Sequence, residues 1–377
     1  MDQQPIELLQ ALVRIPSITP EDRGCQKLLI KRLERVGFTC KQFNFNKTSN
    51  FWAIWGKGSP LFCFAGHTDV VPPGNLSEWS SPPFEPTIRD GYLYGRGVAD
   101  MKAGLAAAVT AVERFINRQE TIRGGIAFLV TSDEEGDGSD GTRKVIEHLK
   151  RIGQRIDYCI VAEPTAIKTV GDTIKNGRRG SLSGYLTVRG KQGHIAYPQL
   201  AINPIHKLLP ALNELMTRKW DQGNSYFPAT SFQISNINAG AGATNVIPGE
   251  ISVSFNFRFG TASTALGLQR QVEQILDQYQ LEYKLDWDIS GEPFCTPAGS
   301  LLQVAKHVIW EQLGIKVDVN TSGGTSDGRF LKEITDQLIE LGVVNDTIHQ
   351  VNERIPLEEV LALSIIYEKM LTLLLCN

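Results

Sequence analysis

The sequence predicts an α/β fold in two parts: a mixed, mostly parallel sheet with helices on both faces, interrupted by an inserted α+β domain. Three observations predict it. First, the apolar runs LFCFAG (61–66), GGIAFLVTS (124–132) and DYCIVAE (157–163) alternate with segments of helical spacing, KAGLAAAVTAVERFINR after Met101 and a stretch at 141–152. Strands apolar at every position are covered on both faces, and strand–helix alternation builds parallel sheets. Second, the texture changes from about residue 181. SLSGYLTVRG and GEISVSFNFRF alternate apolar with polar residues, as strands with one wet face do, around helices near 203–218 and 263–279. Third, GEPFCTP and a further helix restore the first texture. The chain therefore divides into 1–179 and 293–377 for one domain and 180–292 for the insertion, and 377 residues is a two-domain length.

Composition excludes several function classes. A hydrophobic fraction of 42% and a charged fraction of 21% are those of a globular protein, and a net charge of -3 gives no footprint for nucleic acid or an anionic membrane. The most apolar stretch, LEEVLALSIIYEKMLTLLLCN, is broken by Glu358, Glu359, Glu368 and Lys369 into an amphipathic helix far short of a span. No basic N-terminal region precedes an apolar core and cleavage site, and Cys25, Cys40, Cys63, Cys159, Cys295 and Cys376 are scattered without a CxxC pair. A cytoplasmic protein with reduced thiols is expected.

In open α/β sheets, ligands sit at the carboxyl ends of the strands. His67 and Asp69 follow LFCFAG, Glu134 and Glu135 follow IAFLV, and Glu163 follows CIVA. Asp100 opens the helix after YGRGVA, and His349 lies in NDTIHQVNE. Nitrogen and oxygen donors of this kind suit zinc or a similar divalent ion. They exceed what one such ion with an open position needs, so two ions sharing a carboxylate are expected. The i, i+2 spacing in HTD lets Asp69 accept the imidazole N–H of His67. Adjacent side chains diverge, so Glu135 is expected as a ligand and Glu134 as a general base.

Two other patterns fail. DEEGDG imitates a calcium loop, but its twelfth position is Lys144, where a bidentate Glu is needed, and a strand precedes it. GTSDG matches a nucleophile elbow at Ser326, with Asp346 and His349 downstream, yet leaves every strand-end carboxylate idle.

HTDVVP, GRGVADMKAG, TSDEEGDG, VAEPT and GHIAYP together resemble the co-catalytic zinc amidohydrolases and peptidases, the family of the aminoacylases, acetylornithine deacetylases and carboxypeptidase G types. KNGRRGSL, GKQGHIAYP, NVIPGE, FNFRF, SGGTSDGRF and TIHQVNE narrow the resemblance to the branch that hydrolyses N-succinyl-L,L-2,6-diaminopimelate. The resemblance runs from about residue 10 to the end. It implies a zinc-exopeptidase-like domain, a ferredoxin-like inserted domain serving as lid and dimer contact, and a homodimer. Two Zn2+ per subunit are implied, with Co2+ able to substitute at one site. One ion falls to His67 and Glu163 and the other to Glu135 and His349, with Asp100 bridging. The resemblance also implies a cis Asp100–Met101 peptide, and an oxyanion donor in His194 supplied by the partner subunit.

A substrate with carboxylates at both ends calls for cations, and Lys175, Arg178, Arg179 and Arg258 are the candidates. Ser181, Tyr197, Asn245, Gly324, Thr325 and Asn345 lie in the matching strings and complete the expected pocket. Other expectations stay open: a sister deacylase or dipeptidase, and a non-catalytic metal-binding scaffold, against which the intact Glu134 argues.

Overall fold

The computed structural model describes residues 3–118, 121–240 and 242–376. The chain forms two compact units. The first takes the residues up to Gly177, Thr296–Asn320 and those from Ser326 onward; the second takes Arg178–Cys295 and Thr321–Thr325. The inserted unit thus begins at 178 where the change of texture suggests 180, ends at 295 where it suggests 292, and includes a short return segment.

The first unit is built on an eight-stranded sheet. Its spatial order is Thr39–Phe45, Thr48–Gly56, Gly125–Thr131, Leu61–His67, Ile156–Val161, Thr335–Glu340, Thr173–Lys175, Asp318–Asn320. The four strands from Gly125–Thr131 to Thr335–Glu340 run parallel. The two strands before them pair antiparallel. Leu61–His67 and Gly125–Thr131 are buried at every position, as strands covered on both faces must be. Two long helices, Ala103–Arg118 and Leu357–Leu375, pack together. Their contact is partly polar, with Thr110 Oγ1 to Ser364 Oγ at 3.0 Å and Arg114 Nε donating to Glu368 at 2.6 Å. The apolar C-terminal stretch is therefore a core helix, with Val360, Leu363, Ile366, Tyr367, Met370 and Leu371 buried. Among the described residues, no helix is long and apolar enough to cross a membrane.

Register brings the strand ends level. His67 lies opposite Thr131, and Ala65 opposite Val161, so the segments that follow emerge side by side. Gly104 lets the first turn of the Ala103–Arg118 helix approach them: a Cβ there would stand 2.1 Å from the Ala162 carbonyl oxygen. The Asp100–Met101 peptide just before that helix is cis.

The second unit runs strand, helix, strand, strand, helix, strand. Its elements are Gly180–Arg189, Pro204–Thr217, Ser231–Ala239, Glu250–Phe259, Ala265–Gln278 and Tyr283–Gly291. The four strands form an antiparallel sheet in the order 231–239, 250–259, 180–189, 283–291, the ferredoxin-like arrangement. Alternation in GEISVSFNFRF does what the sequence implies: Ile251, Val253, Phe255, Phe257 and Phe259 are buried in a core shared with Leu208, Leu212, Leu268 and Val272. Asn203 and Thr264 cap the two helices through their side chains.

Candidate metal centre

Six donor side chains from five segments converge at the strand ends of the first unit. His67 is the last residue of its strand, buried to 1% exposure. Asp100 stands in the tight turn Val98–Lys102. Its two oxygens face opposite ways: Oδ1 lies 3.2 Å from His67 Nε2, and Oδ2 lies 3.4 Å from His349 Nε2. His349 Nε2 also meets Glu135 Oε1 at 2.9 Å. On the other side, His67 Nε2 lies 3.8 Å from Glu163 Oε1 and 4.0 Å from Glu134 Oε2. The adjacent glutamates do diverge, Glu135 toward His349 and Glu134 toward His67 and Glu163.

Burial makes this cluster electrostatically demanding. Burial pulls the His67 imidazole down, yet its hydrogen bond with Asp100 and the charges of Asp69, Glu163 and Glu134 carry it well above the usual histidine range. His349 is raised to about 10, first by Asp100 and then by Glu135. Burial works against the Asp100 carboxylate, but hydrogen bonds from both histidines hold it below the usual range. Burial pushes Glu134 and Glu163 well up, with neighbouring carboxylates adding to the effect. Two imidazoles face the four carboxylates Asp100, Glu134, Glu135 and Glu163, so the donor set holds more carboxylates than cationic partners, and burial penalises the charged forms of Glu134 and Glu163. Divalent cations fit that imbalance, and the mixed nitrogen and oxygen donors are those zinc takes. His67, Asp100 and Glu135 offer donor atoms within 4.8 Å of one another, as do His67, Glu134 and Glu163.

Asp69 departs from expectation. His67 Nδ1 meets the backbone carbonyl of Asp69 at 2.9 Å, with the carboxylate farther off at 3.6 Å. The Asp69 carboxylate instead accepts the backbone N–H groups of Glu134 (3.4 Å) and Glu135 (3.1 Å). The strand ends at His67, so the i, i+2 alternation no longer governs Asp69, and its side chain turns to the neighbouring loop.

The expected pocket residues divide between the units. Lys175 and Asn345 belong to the first; there Lys175 Nζ donates to Asn320 Oδ1 at 2.6 Å. Arg178, Arg179, Ser181, His194, Tyr197, Asn245, Arg258, Gly324 and Thr325 belong to the second. There His194 and Tyr197 are exposed, their rings 5.7 Å apart. Arg178 and Arg179 donate to the carbonyls of Ser322 and Gly323. Burial and then the Arg179 charge lower the Arg258 guanidinium, a juxtaposition of cations that an anion would relieve. Ser326 is no nucleophile elbow: it is buried, and its hydroxyl donates to the Glu340 carboxylate instead of to a histidine. Glu353 and Arg96, which the reading of motifs gave no role, surround the Asp100 turn. They stand within TIHQVNE and GRGVADMKAG, but nothing in spacing alone marks them.

Residues 63–373 match the model of peptidase family M20/M25/M40. The chain belongs to this family and is a metal-dependent hydrolase. Among its relatives, the succinyl-diaminopimelate desuccinylase of Azoarcus sp. (strain BH72) is 54% identical over 374 residues, covering 99% of this chain and 98% of that protein. The enzyme of the same name from Thiobacillus denitrificans is 54% identical over 372 residues, covering 99% of this chain and 95% of that protein. A Staphylococcus aureus tripeptidase shares the fold at a TM-score of 0.80 and 22% identity, covering 99% of this chain and 98% of that one. A dinuclear metal-binding peptidase of Bacillus subtilis does so at 0.72 and 16%, covering 99% and 98%.

Proposed function

We propose that this chain hydrolyses N-succinyl-L,L-2,6-diaminopimelate to succinate and L,L-2,6-diaminopimelate, a step of diaminopimelate and lysine biosynthesis, at a centre for two divalent ions. The relatives' shared name supports the substrate. The observation that carries the chemistry is Asp100, one carboxylate with an oxygen toward each histidine. In this reading His67 and Glu163 hold one ion, Glu135 and His349 the other, and Asp100 both; zinc suits the donors, and cobalt is compatible at one position. When bound, the ions polarise the scissile carbonyl and make water more acidic.

Glu134 takes a proton from the attacking water and returns it to the departing amine, and burial gives its carboxylate the raised proton affinity this shuttle uses. Asp69 orients the shuttle by holding the Glu134–Glu135 backbone. The second unit, residues 180–292 by the sequence boundaries, serves as lid and dimer contact, and His194 of the partner subunit donates to the developing oxyanion. Lys175, Arg178 and Arg258 pair with substrate carboxylates; Ser181, Tyr197, Asn245, Gly324, Thr325 and Asn345 line the remainder. The enzyme is a cytoplasmic homodimer in this reading.

The test compares hydrolysis of N-succinyl-L,L-2,6-diaminopimelate with that of its N-acetyl analogue in the presence of zinc. Strong preference for the succinyl amide is expected. Equal rates transfer the assignment to a sister deacylase.

A further inference from the structure

A carboxylate with four donors lies behind the centre. Glu353 is 1% exposed. Its Oε2 accepts from Arg96 Nη1 at 2.7 Å and from the Gly97 N–H at 2.9 Å. Its Oε1 accepts from the Ala99 N–H at 2.9 Å and the Asp100 N–H at 3.2 Å. The Glu353 carbonyl accepts from the Gly95 N–H at 3.0 Å, so main chain and side chain together hold residues 95–100. Arg96, 2% exposed, extends the contact: its Nη2 donates to the His349 carbonyl at 3.3 Å.

These bonds close a ring. From the Asp100 N–H the path runs to Glu353, to Arg96 and to the His349 carbonyl, then from His349 Nε2 back to Asp100 Oδ2 at 3.4 Å. We infer that Glu353 and Arg96 form a clamp that fixes Asp100 and His349 relative to each other before any ion binds. The inference rests on the ligand assignment proposed above.

Three features make the clamp more than packing. Both of its arms end on proposed ligand residues. The pair is internally neutral, so it adds nothing to the repulsion among the four carboxylates of the centre. His349 also needs holding: its φ is +62° and that of Asn352 is +60°, a left-handed backbone that residues other than glycine seldom adopt without support. Support comes from both sides, with Asn352 Oδ1 accepting the Ser80 N–H at 2.7 Å and Arg96 reaching the His349 carbonyl. Ligands set in place this way bind more tightly, because fewer interactions are spent on ordering them.

The test titrates metal-free protein with Zn2+ against a competing chromophoric chelator. Glu353→Gln keeps size and shape but sets an amide NH2 against N–H donors, so one binding step should weaken by about ten- to a hundredfold. Arg96→Met should weaken the same step, and the double variant should be no worse than the poorer single one, since a ring is broken only once. Glu359→Gln is the control. It makes the same exchange at a buried carboxylate that accepts from Thr169 and Val170, outside the centre, and should lower thermal stability while leaving zinc affinity at the wild-type value. Asp100→Ala separates the two claims: unchanged zinc binding there overturns the ligand assignment itself. If Asp100→Ala loses zinc while Glu353→Gln and Arg96→Met keep wild-type affinity, the clamp alone is wrong. Should Glu353→Gln fail to fold, Arg96→Met decides by the same criterion.

Discussion

Replacing Glu134 by glutamine isolates proton transfer from metal binding. The Glu134 carboxylate stands 4.0 Å from His67 Nε2, beyond hydrogen-bond reach, so the amide breaks no bond among the proposed ligands. Its backbone N–H keeps Asp69 as acceptor at 3.4 Å. What disappears is the capacity to take a proton. Loss of a positioned general base costs about 10²–10⁴ in rate, or about 3 to 5 kcal/mol at 1.36 kcal/mol per factor of ten. The expected result is therefore kcat down by about that factor, KM little changed, and metal content at the wild-type level. Glu135→Gln should behave differently, because Glu135 Oε1 meets His349 Nε2 at 2.9 Å and its loss should cost metal at one position. Stopped-time assays of succinate release, paired with elemental analysis of the same samples, read both quantities. Near-wild-type turnover by Glu134→Gln refutes the base assignment. Loss of an ion would instead make Glu134 a ligand, grouped with His67 and Glu163.

A strong chelator should abolish activity and added Zn2+ restore it, while serine-directed acylating reagents leave the rate unchanged; inactivation with label on Ser326 would overturn the two-ion reading. Zinc binding should release protons, because His349, raised to about 10 against an ordinary 6.5, is protonated in the metal-free protein at pH 7. By the same sign, the stability that metal-free protein draws from this proton is complete below about 6.5 and fades as pH rises through about 10. Calorimetry in buffers of different ionisation enthalpy checks the release, and zinc affinity that stays flat between pH 7 and 9 contradicts it. Finally, mixing inactive Glu134→Gln and His194→Ala homodimers under subunit exchange should regain one working site per mixed dimer; exchange proven by mass without recovered activity would show that His194 does not act across the interface.

What could be read from the sequence follows from how each feature is encoded. Apolar runs and alternation are periodic, so three of the four central parallel strands and two strands of the inserted sheet were legible, and so were the donors at the strand ends. The antiparallel strands Thr39–Phe45, at the sheet edge, and Thr48–Gly56 beside it were not read from the sequence and emerge only in the structure. The return of Thr321–Thr325 to the second unit has no legible pattern, because five residues hold too few repeats of either period to show one. At the centre, the donor side chains were legible at the strand ends, and the family resemblance implied the meeting of Asp100 with His67 and His349. Contacts made through the backbone were not. Asp69 has the right spacing to receive an imidazole, yet its main-chain carbonyl does so and its carboxylate holds two N–H groups of the next loop. Glu353 receives three N–H groups that any residue would supply, so no residue type announces the contact. Motifs therefore record which side chains converge, whereas the placement of those side chains is written largely in main-chain bonds. A substitution at Glu353 that leaves every proposed ligand side chain in place should still degrade the centre.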